Sequence, residues 1–150
     1  MDESVKKKIQ LEISKIDTLV EKSSLMLAKC AVQEPDFYDV NAIGSILHSY
    51  YNGLESIFNL IYKSFVSTPL SGNMWHSDLF AAMFAETESH PPVLPQELFL
   101  STKQYLGFRH VFRHSYGYEL DWERLKPLFN GMVENWNAVR ACFLKSCQQH

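Results

Sequence analysis

The spacing of apolar residues constrains the fold of this chain more than any other feature of its sequence. Apolar residues recur at steps of three and four along almost the whole length, as in Ile9, Ile13, Ile16 and Val20. This period matches one face of an α-helix, whereas a half-buried strand alternates at every second residue. The sequence shows neither that alternation nor an internal repeat. It therefore predicts an all-α fold, a helical bundle of four long helices and one short helix.

Turn-forming residues separate the helical stretches and set their approximate bounds. The predicted helices cover 4–31, 39–66, 74–85 and 95–117, and a last helix begins near Trp122. Asn52-Gly53 can form a hairpin turn, but the helical spacing continues on both sides of it. Gly117 is expected to end the fourth helix in a left-handed conformation. Pro127 either kinks the last helix or marks its first turn.

Composition predicts a single folded domain over residues 1–150. A content of 46% hydrophobic and 21% charged residues suits a packed core. No apolar run is long enough to cross a bilayer, and no signal-peptide core follows Met1, so we expect a cytoplasmic protein with no membrane association. The three cysteines are odd in number and too few for a disulfide framework, so they should be reduced thiols: Cys30, Cys142 and Cys147.

The charge distribution points to a small local site. A net charge of −3 argues against a broad surface that coats nucleic acid. All four arginines nevertheless lie in the last third of the chain: Arg109, Arg113, Arg124 and Arg140. The segment 101–118 contains Lys103 and two of these arginines and no acidic residue, which makes it the most positive part of the sequence.

The residues best suited to chemistry lie in 109–116, which reads Arg-His-Val-Phe-Arg-His-Ser-Tyr. On a helix, Arg109 and Tyr116 share nearly one face and Arg113 lies close to it, whereas His114 points about 140° away from Arg109. Arg109 and His114 therefore converge only if the helix end unwinds or if a second copy completes the cleft across a two-fold axis. From residue types alone, a solvated basic helix end is the simpler interpretation.

Histidine and arginine together can cleave RNA without a metal ion. The ribose 2′-hydroxyl is the nucleophile, and a histidine takes its proton or protonates the leaving oxygen. An arginine holds phosphate oxygens with two parallel N–H donors and stabilises the charge that develops there. The expected products are a 2′,3′-cyclic phosphate and a 5′-hydroxyl, and DNA should resist because it lacks the nucleophile.

The pattern Arg109, four residues, His114, one residue, Tyr116 resembles the Arg-x4-His-x-Tyr motif of HEPN ribonucleases, specifically their HepT toxin branch. The segment 51–57, Tyr-Asn-Gly-Leu-Glu-Ser-Ile, is similar to a recurring stretch of the same branch. The resemblance implies a HEPN-like helical bundle and the activity of a metal-independent endoribonuclease toxin that needs no cofactor. Its substrate would be RNA, either tRNA or mRNA.

The same resemblance implies a role for each motif residue. Arg109 would contact the scissile phosphate and His114 would be the general acid or base, with His110 and Arg113 supporting them or binding substrate. Members of the branch work as homodimers that place two motifs in one cleft. Their usual partner is a minimal nucleotidyltransferase (MNT) antitoxin, which in several systems transfers AMP to the motif tyrosine, here Tyr116. A bulky anion on one face with Arg109 would then repel RNA.

Three alternatives compete with this interpretation. His110 and His114 have the spacing of two metal ligands on a helix, with His76 and Asp78 as further donors, but Val111 stands where the zinc-protease pattern has glutamate. A non-catalytic HEPN module that binds a nucleotide or a partner is the second alternative. A purely structural helical bundle is the third.

Several residues outside the motif are left with open or structural roles. Glu55 is either solvated or the partner of an arginine. His48 and His76 are interpreted as helix histidines whose polar atoms are satisfied. The aromatic stripes of the second and last helices either fill the core or form part of a homodimer interface.

Overall fold

The chain folds into a helical bundle. The computed structural model describes residues 1–148, and no β-strand occurs in that range, so the all-α prediction is confirmed. The helices are α1 (Glu3–Lys22), α2 (Ser24–Val32), α3 (Phe37–Phe65), α4 (Trp75–Ala82), α5 (Phe99–His114) and α6 (Trp122–Gln148), with 3₁₀ turns at Gln96–Leu98 and Gly117–Glu119. None of these helices combines the length and apolar character that crossing a membrane requires.

Helix α3 lies at the centre of the bundle, in contact with α1, α4, α5 and α6. Both aromatic-rich stripes point into this core. Tyr50 of α3 packs edge-on against Trp136 of α6, with ring centroids 6.3 Å apart. The aromatic rings of the stripes that are fully buried include Tyr50, Phe58, Phe129, Trp136 and Phe143. Core packing therefore accounts for these stripes.

A buried polar network joins three helices inside the core. Tyr50 Oη donates a hydrogen bond of 2.6 Å to Asn135 Oδ1, and Asn135 Nδ2 donates one of 3.1 Å to Thr102 Oγ1. The network links α3, α6 and α5, which fixes the position of α5 relative to the centre of the bundle.

An ion pair ties α1 to α6. Asp17 accepts hydrogen bonds from Arg140 Nε and from Trp136 Nε1, at 3.0 and 2.8 Å. Partial burial raises the pKa of Asp17, but these hydrogen bonds and the charge of Arg140 outweigh it, and the net effect is a lowered pKa.

The first predicted helix, 4–31, is wrong in one respect, because it is interrupted at Ser23. The Ser23 hydroxyl donates to the carbonyl of Leu19 at 2.7 Å, while the Ser23 backbone N–H is shared between Leu19 and Val20 at 3.1 and 3.2 Å. A serine that bonds back to its own helix in this way bends it, and paired serines are a common position for a break. α1 therefore ends at Lys22 and α2 begins at Ser24.

The other predicted helices occur, but the fourth, predicted over 95–117, is α-helical only over Phe99–His114. Asn52-Gly53 lies inside α3, as the helical spacing predicted. α6 begins at Trp122, where Asp121 Oδ1 accepts the Glu123 N–H at 3.1 Å, so Pro127 lies within the helix and does not mark its first turn. All three cysteines are free thiols.

Candidate active site

In the last turns of α5, the ring of Phe112 packs against α3. Phe112 stacks on His48 of α3, with centroids 4.8 Å apart and 26° between the planes. A Cβ at Gly44 would lie 3.1 Å from Phe112 and 2.9 Å from Leu120. The missing side chain at Gly44 therefore lets these two residues pack closely against α3. The basic residues of α5 are thereby directed to the remaining faces of the helix.

Arg109 is half-buried and reaches a cavity of about 430 Å³ between α4 and α5. Lys103, His110 and His76 line the same cavity, and none of its lining residues carries a carboxylate. The Arg109 Nε–H is buried and has no acceptor among residues 1–148. A buried charged donor without an acceptor is unfavourable, so this position of Arg109 carries an energetic cost.

Tyr51 of α3 lies within electrostatic range of both Arg109 and Glu55. Burial is the main cause that raises the pKa of Tyr51, the Glu55 carboxylate raises it further, and the nearby Arg109 guanidinium opposes both. The Tyr51 hydroxyl is buried and has no hydrogen-bond partner in the described chain. Glu55 itself pairs with His76, its Oε2 lying 2.8 Å from Nδ1, and its side chain is only 12% exposed. Both expected roles of Glu55, a solvated residue or the partner of an arginine, are therefore wrong.

His48 faces the same group of cations. Burial lowers its pKa, and the positive charges of Arg109 and Arg113 lower it further, so the ring is neutral at neutral pH. Its Nε2 lies 3.1 Å from Asn52 Nδ2, whereas Nδ1 is buried without a partner within residues 1–148. The expectation that the polar atoms of His48 are satisfied is therefore wrong for Nδ1.

The other motif residues of α5 are exposed. His110 and His114 lie one turn apart with ring centroids separated by 4.6 Å, and Arg113 points to solvent near His48. Arg109 and His110 both line the α4–α5 cavity, but His114 does not. Within one chain, His110 therefore lies next to His114 and lines the same cavity as Arg109. Arg109 and His114 do not line one cavity.

Tyr116 does not share a helix face with Arg109, contrary to the sequence-based expectation. α5 ends at His114, and Ser115 is extended at φ −116°, ψ 146°. Tyr116 therefore lies beyond the helix, with its backbone N–H bonded to Glu119 Oε1 at 2.9 Å. Its ring is 71% exposed and stacks parallel on Tyr118, at 5.7 Å between centroids.

The role predicted for Gly117 as a left-handed helix end is also wrong. Within the described chain the positive φ belongs to Gly72, not to Gly117. Gly117 instead allows a close approach to α3, because a Cβ there would overlap the Asn41 side chain. Asn41 Nδ2 donates to the Gly117 carbonyl at 3.3 Å and to Phe37 at 2.8 Å, which anchors the segment after the motif.

The residues considered as metal ligands are not assembled into a cluster. Anywhere in residues 1–148, no group of three or more His, Cys, Asp or Glu side chains is arranged to hold a metal ion. His76 is bonded to Glu55, and Asp78 is exposed in the first turn of α4.

Sequence reasoning missed the contribution of α3 and α4 to this site. His48, Tyr51, Asn52 and Glu55 follow one another at helical steps of three, one and three, so they lie on neighbouring faces of α3. The sequence signal available for this contribution was the set of polar residues at the margin of the otherwise apolar stripe of α3. His76 carried none, because its partner lies on a different helix.

A family model described as HepT-like protein matches residues 42–149, which is more than half of the chain. The match covers all of α5, with the motif, and most of α3. No curated protein and no solved structure matches the chain.

Proposed function

This chain belongs to the HepT-like family, and we propose that it is a metal-independent endoribonuclease. The family assignment supports its identification as a HEPN-type toxin of a toxin–antitoxin system. The observation that carries the proposal is the environment of Arg109. Its buried Nε–H lacks an acceptor within residues 1–148, beside a cavity lined by basic residues. In the proposal, a phosphate of RNA enters this cavity and pairs with the Arg109 guanidinium.

In the proposed reaction, Arg109 binds the scissile phosphate and His114 transfers protons. The 2′-hydroxyl proton passes to a histidine as the 2′-oxygen attacks phosphorus, and the 5′-oxygen leaves and takes up a proton. This yields a 2′,3′-cyclic phosphate and a 5′-hydroxyl. His110, next to His114, and the exposed Arg113 support substrate binding. His114 is exposed at the helix end, where RNA can reach it.

We further propose that the working unit is a homodimer, because Arg109 and His114 do not reach one cavity within a single chain. A groove of about 270 Å³ borders the motif, and Val111, which lines it, is 42% exposed. Its lining combines apolar side chains with the charged residues Glu119, Asp121 and Arg124. If the cleft combines Arg109 of one chain with His114 of the other, a heterodimer of the inactive Arg109→Ala and His114→Ala proteins has one intact cleft of two. Random pairing in an equal mixture makes about half of the dimers heterodimers, so the mixture restores about a quarter of wild-type cleavage. No recovery in proven heterodimers would contradict a shared cleft.

The proposed partner is an MNT-type nucleotidyltransferase that transfers AMP to Tyr116. The exposed ring of Tyr116 makes its hydroxyl accessible to such an enzyme. Because Tyr116 lies just beyond His114 and not on the face of Arg109, the added AMP would cover the exposed end of the motif and repel RNA there. Co-expression should add AMP mass to wild type and not to Tyr116→Phe; an unmodified wild-type chain would contradict this regulation.

The ribonuclease is tested by incubating unmodified protein with total RNA and excess chelator, and by analysing the new ends. We expect 2′,3′-cyclic phosphate ends that disappear in Arg109→Ala and His114→Ala. Lys22→Ala is the control, since Lys22 is an exposed basic residue at the end of α1. Intact RNA from a chain of verified unmodified mass would favour the alternative, a non-catalytic HEPN module that binds a nucleotide or a partner.

A further inference from the structure

The cavity between α4 and α5 has the charge pattern of an anion site. Arg109 and Lys103 line it, although the Lys103 Nζ lies over the Phe99 ring, 5.5 Å from its centroid, and two histidines, His76 and His110, add groups that become cationic on protonation. The remaining polar groups at the wall are neutral donors and acceptors, from Asn73 and Ser77. In a protein of net charge −3, this concentration of basic groups is a local feature.

His76 is held in a fixed orientation at this cavity. Its Nδ1 lies 2.8 Å from Glu55 Oε2, and both side chains are largely buried, at 22% and 12% exposed. The Trp75 ring lies 3.5 Å from the His76 ring, centroid to centroid, which limits movement of the imidazole. Because Nδ1 donates to the carboxylate, Nε2 is the nitrogen left to meet a ligand, and it has no hydrogen-bond partner within residues 1–148.

We propose that this cavity is a phosphate-binding site in which His76, oriented by Glu55, binds the phosphate together with Arg109 and Lys103. Protonated at Nε2, His76 donates to one phosphate oxygen while the guanidinium of Arg109, which lines the same cavity, binds another. His76 contacts the ligand directly, and Glu55 is a positioning residue. The inference deepens the proposed function, since it assigns the cavity to a backbone phosphate of the RNA substrate.

Binding is measurable without cleavage. Isotopically labelled protein is titrated with inorganic phosphate at constant pH and ionic strength, and the His76 ring and Arg109 Nε–H signals are followed by NMR. A second arm uses a 2′-O-methyl RNA tetranucleotide, in which the nucleophile is blocked. We expect saturable shifts of both signals with either probe, and displacement of phosphate by the RNA. Absence of a His76 shift with both probes would overturn the proposal.

Variants separate the role of His76 from general charge. His76→Gln should weaken phosphate binding about tenfold or more, the effect of losing one charge-assisted hydrogen bond. Lys22→Gln, an exposed lysine at the end of α1, is the matched control and should bind as wild type does. Glu55→Ala should also weaken binding, whereas Glu55→Gln, which keeps a hydrogen-bond acceptor, should restore most of it. Wild-type affinity in a folded His76→Gln protein refutes the assignment.

The outcomes distinguish this inference from the proposed ribonuclease. Phosphate binding at His76 without any RNA cleavage supports the site and refutes the ribonuclease. Full RNA cleavage with no effect of His76→Gln on phosphate affinity refutes the site and leaves the ribonuclease intact.

Discussion

Replacing Arg109 by methionine should stabilise the free protein while abolishing RNA cleavage. Arg109 is half-buried, and its Nε–H has no acceptor among the described residues. Arg109→Met keeps an unbranched apolar side chain against the α3 surface and removes the guanidinium. The same change removes the group that the proposed reaction requires at the scissile phosphate.

The magnitude follows from two opposing terms. A buried donor without an acceptor costs on the order of 1–3 kcal/mol, and its removal recovers that amount. The opposing term, the loss of the Arg109 charge, is small because Arg109 makes no ion pair with a carboxylate among the described residues. Glu55 keeps its hydrogen bond to His76, so no buried carboxylate is left unpaired. We therefore expect a net gain of about 1 kcal/mol in the free energy of unfolding, or roughly 2–4 °C in Tm for a domain of this size.

Urea unfolding followed by circular dichroism measures this gain, provided that the slopes of the two transitions are equal. Arg124→Met on α6 is the control and should change stability by no more than about 0.5 kcal/mol, because Arg124 is exposed. An Arg109→Met protein that is about 1 kcal/mol less stable than wild type would refute the reasoning. Such a loss would show that Arg109 stabilises the folded protein, and that its buried position does not lower the free energy of unfolding for the sake of function.

Three further perturbations test the packing and the ion pair of the bundle. Gly53→Ala should destabilise the protein by about 1 kcal/mol or more in urea unfolding, because its Cβ would lie 2.7 Å from the buried Ile16; an unchanged midpoint would show that α1 yields easily. Tyr50→Phe should cost about 1–3 kcal/mol in the same assay, because Asn135 Oδ1 loses its buried donor, and a cost near zero would argue that another group satisfies it. Asp17 has a lowered pKa, so its contribution is present above the ordinary value of 3.8 and is lost as pH falls through the folded-state value. Asp17→Asn should therefore lose less stability than wild type on acidification below about pH 4, and parallel acid unfolding curves would contradict the assignment.

Helix period was sufficient to predict most of the fold, because long amphipathic faces are a property of the sequence itself. Tyr50 and Trp136 fall on those faces and are buried as the pattern predicts. The break at Ser23 was missed because it arises from a side-chain hydrogen bond within a continuous apolar pattern. The end of α5 was missed because Gly117 was assigned a conformational role, whereas its small size is what the contact with Asn41 requires.

The candidate site was predictable only on α5. The family resemblance identified Arg109, His110 and His114, which lie on one helix, so their relative positions follow from helical spacing. His76 and Glu55 meet across the loop between α3 and α4, and nothing in local sequence records a contact made by tertiary packing. The same limit applies to His48, whose proximity to Arg109 depends on how α5 crosses α3.

Helix α1 lies outside the range that the family model matches, yet it supplies Ile9, Ile13 and Ile16 to the core. A protein trimmed to residues 42–149 would leave the α3 surface under these side chains bare, and it would lose the ion pair that Asp17 makes with α6. Trimmed versions should therefore aggregate or recruit a substitute helix. We therefore expect the matched range of this chain to depend on α1 for its stability, so a chimaera that exchanges this range should carry α1 with it.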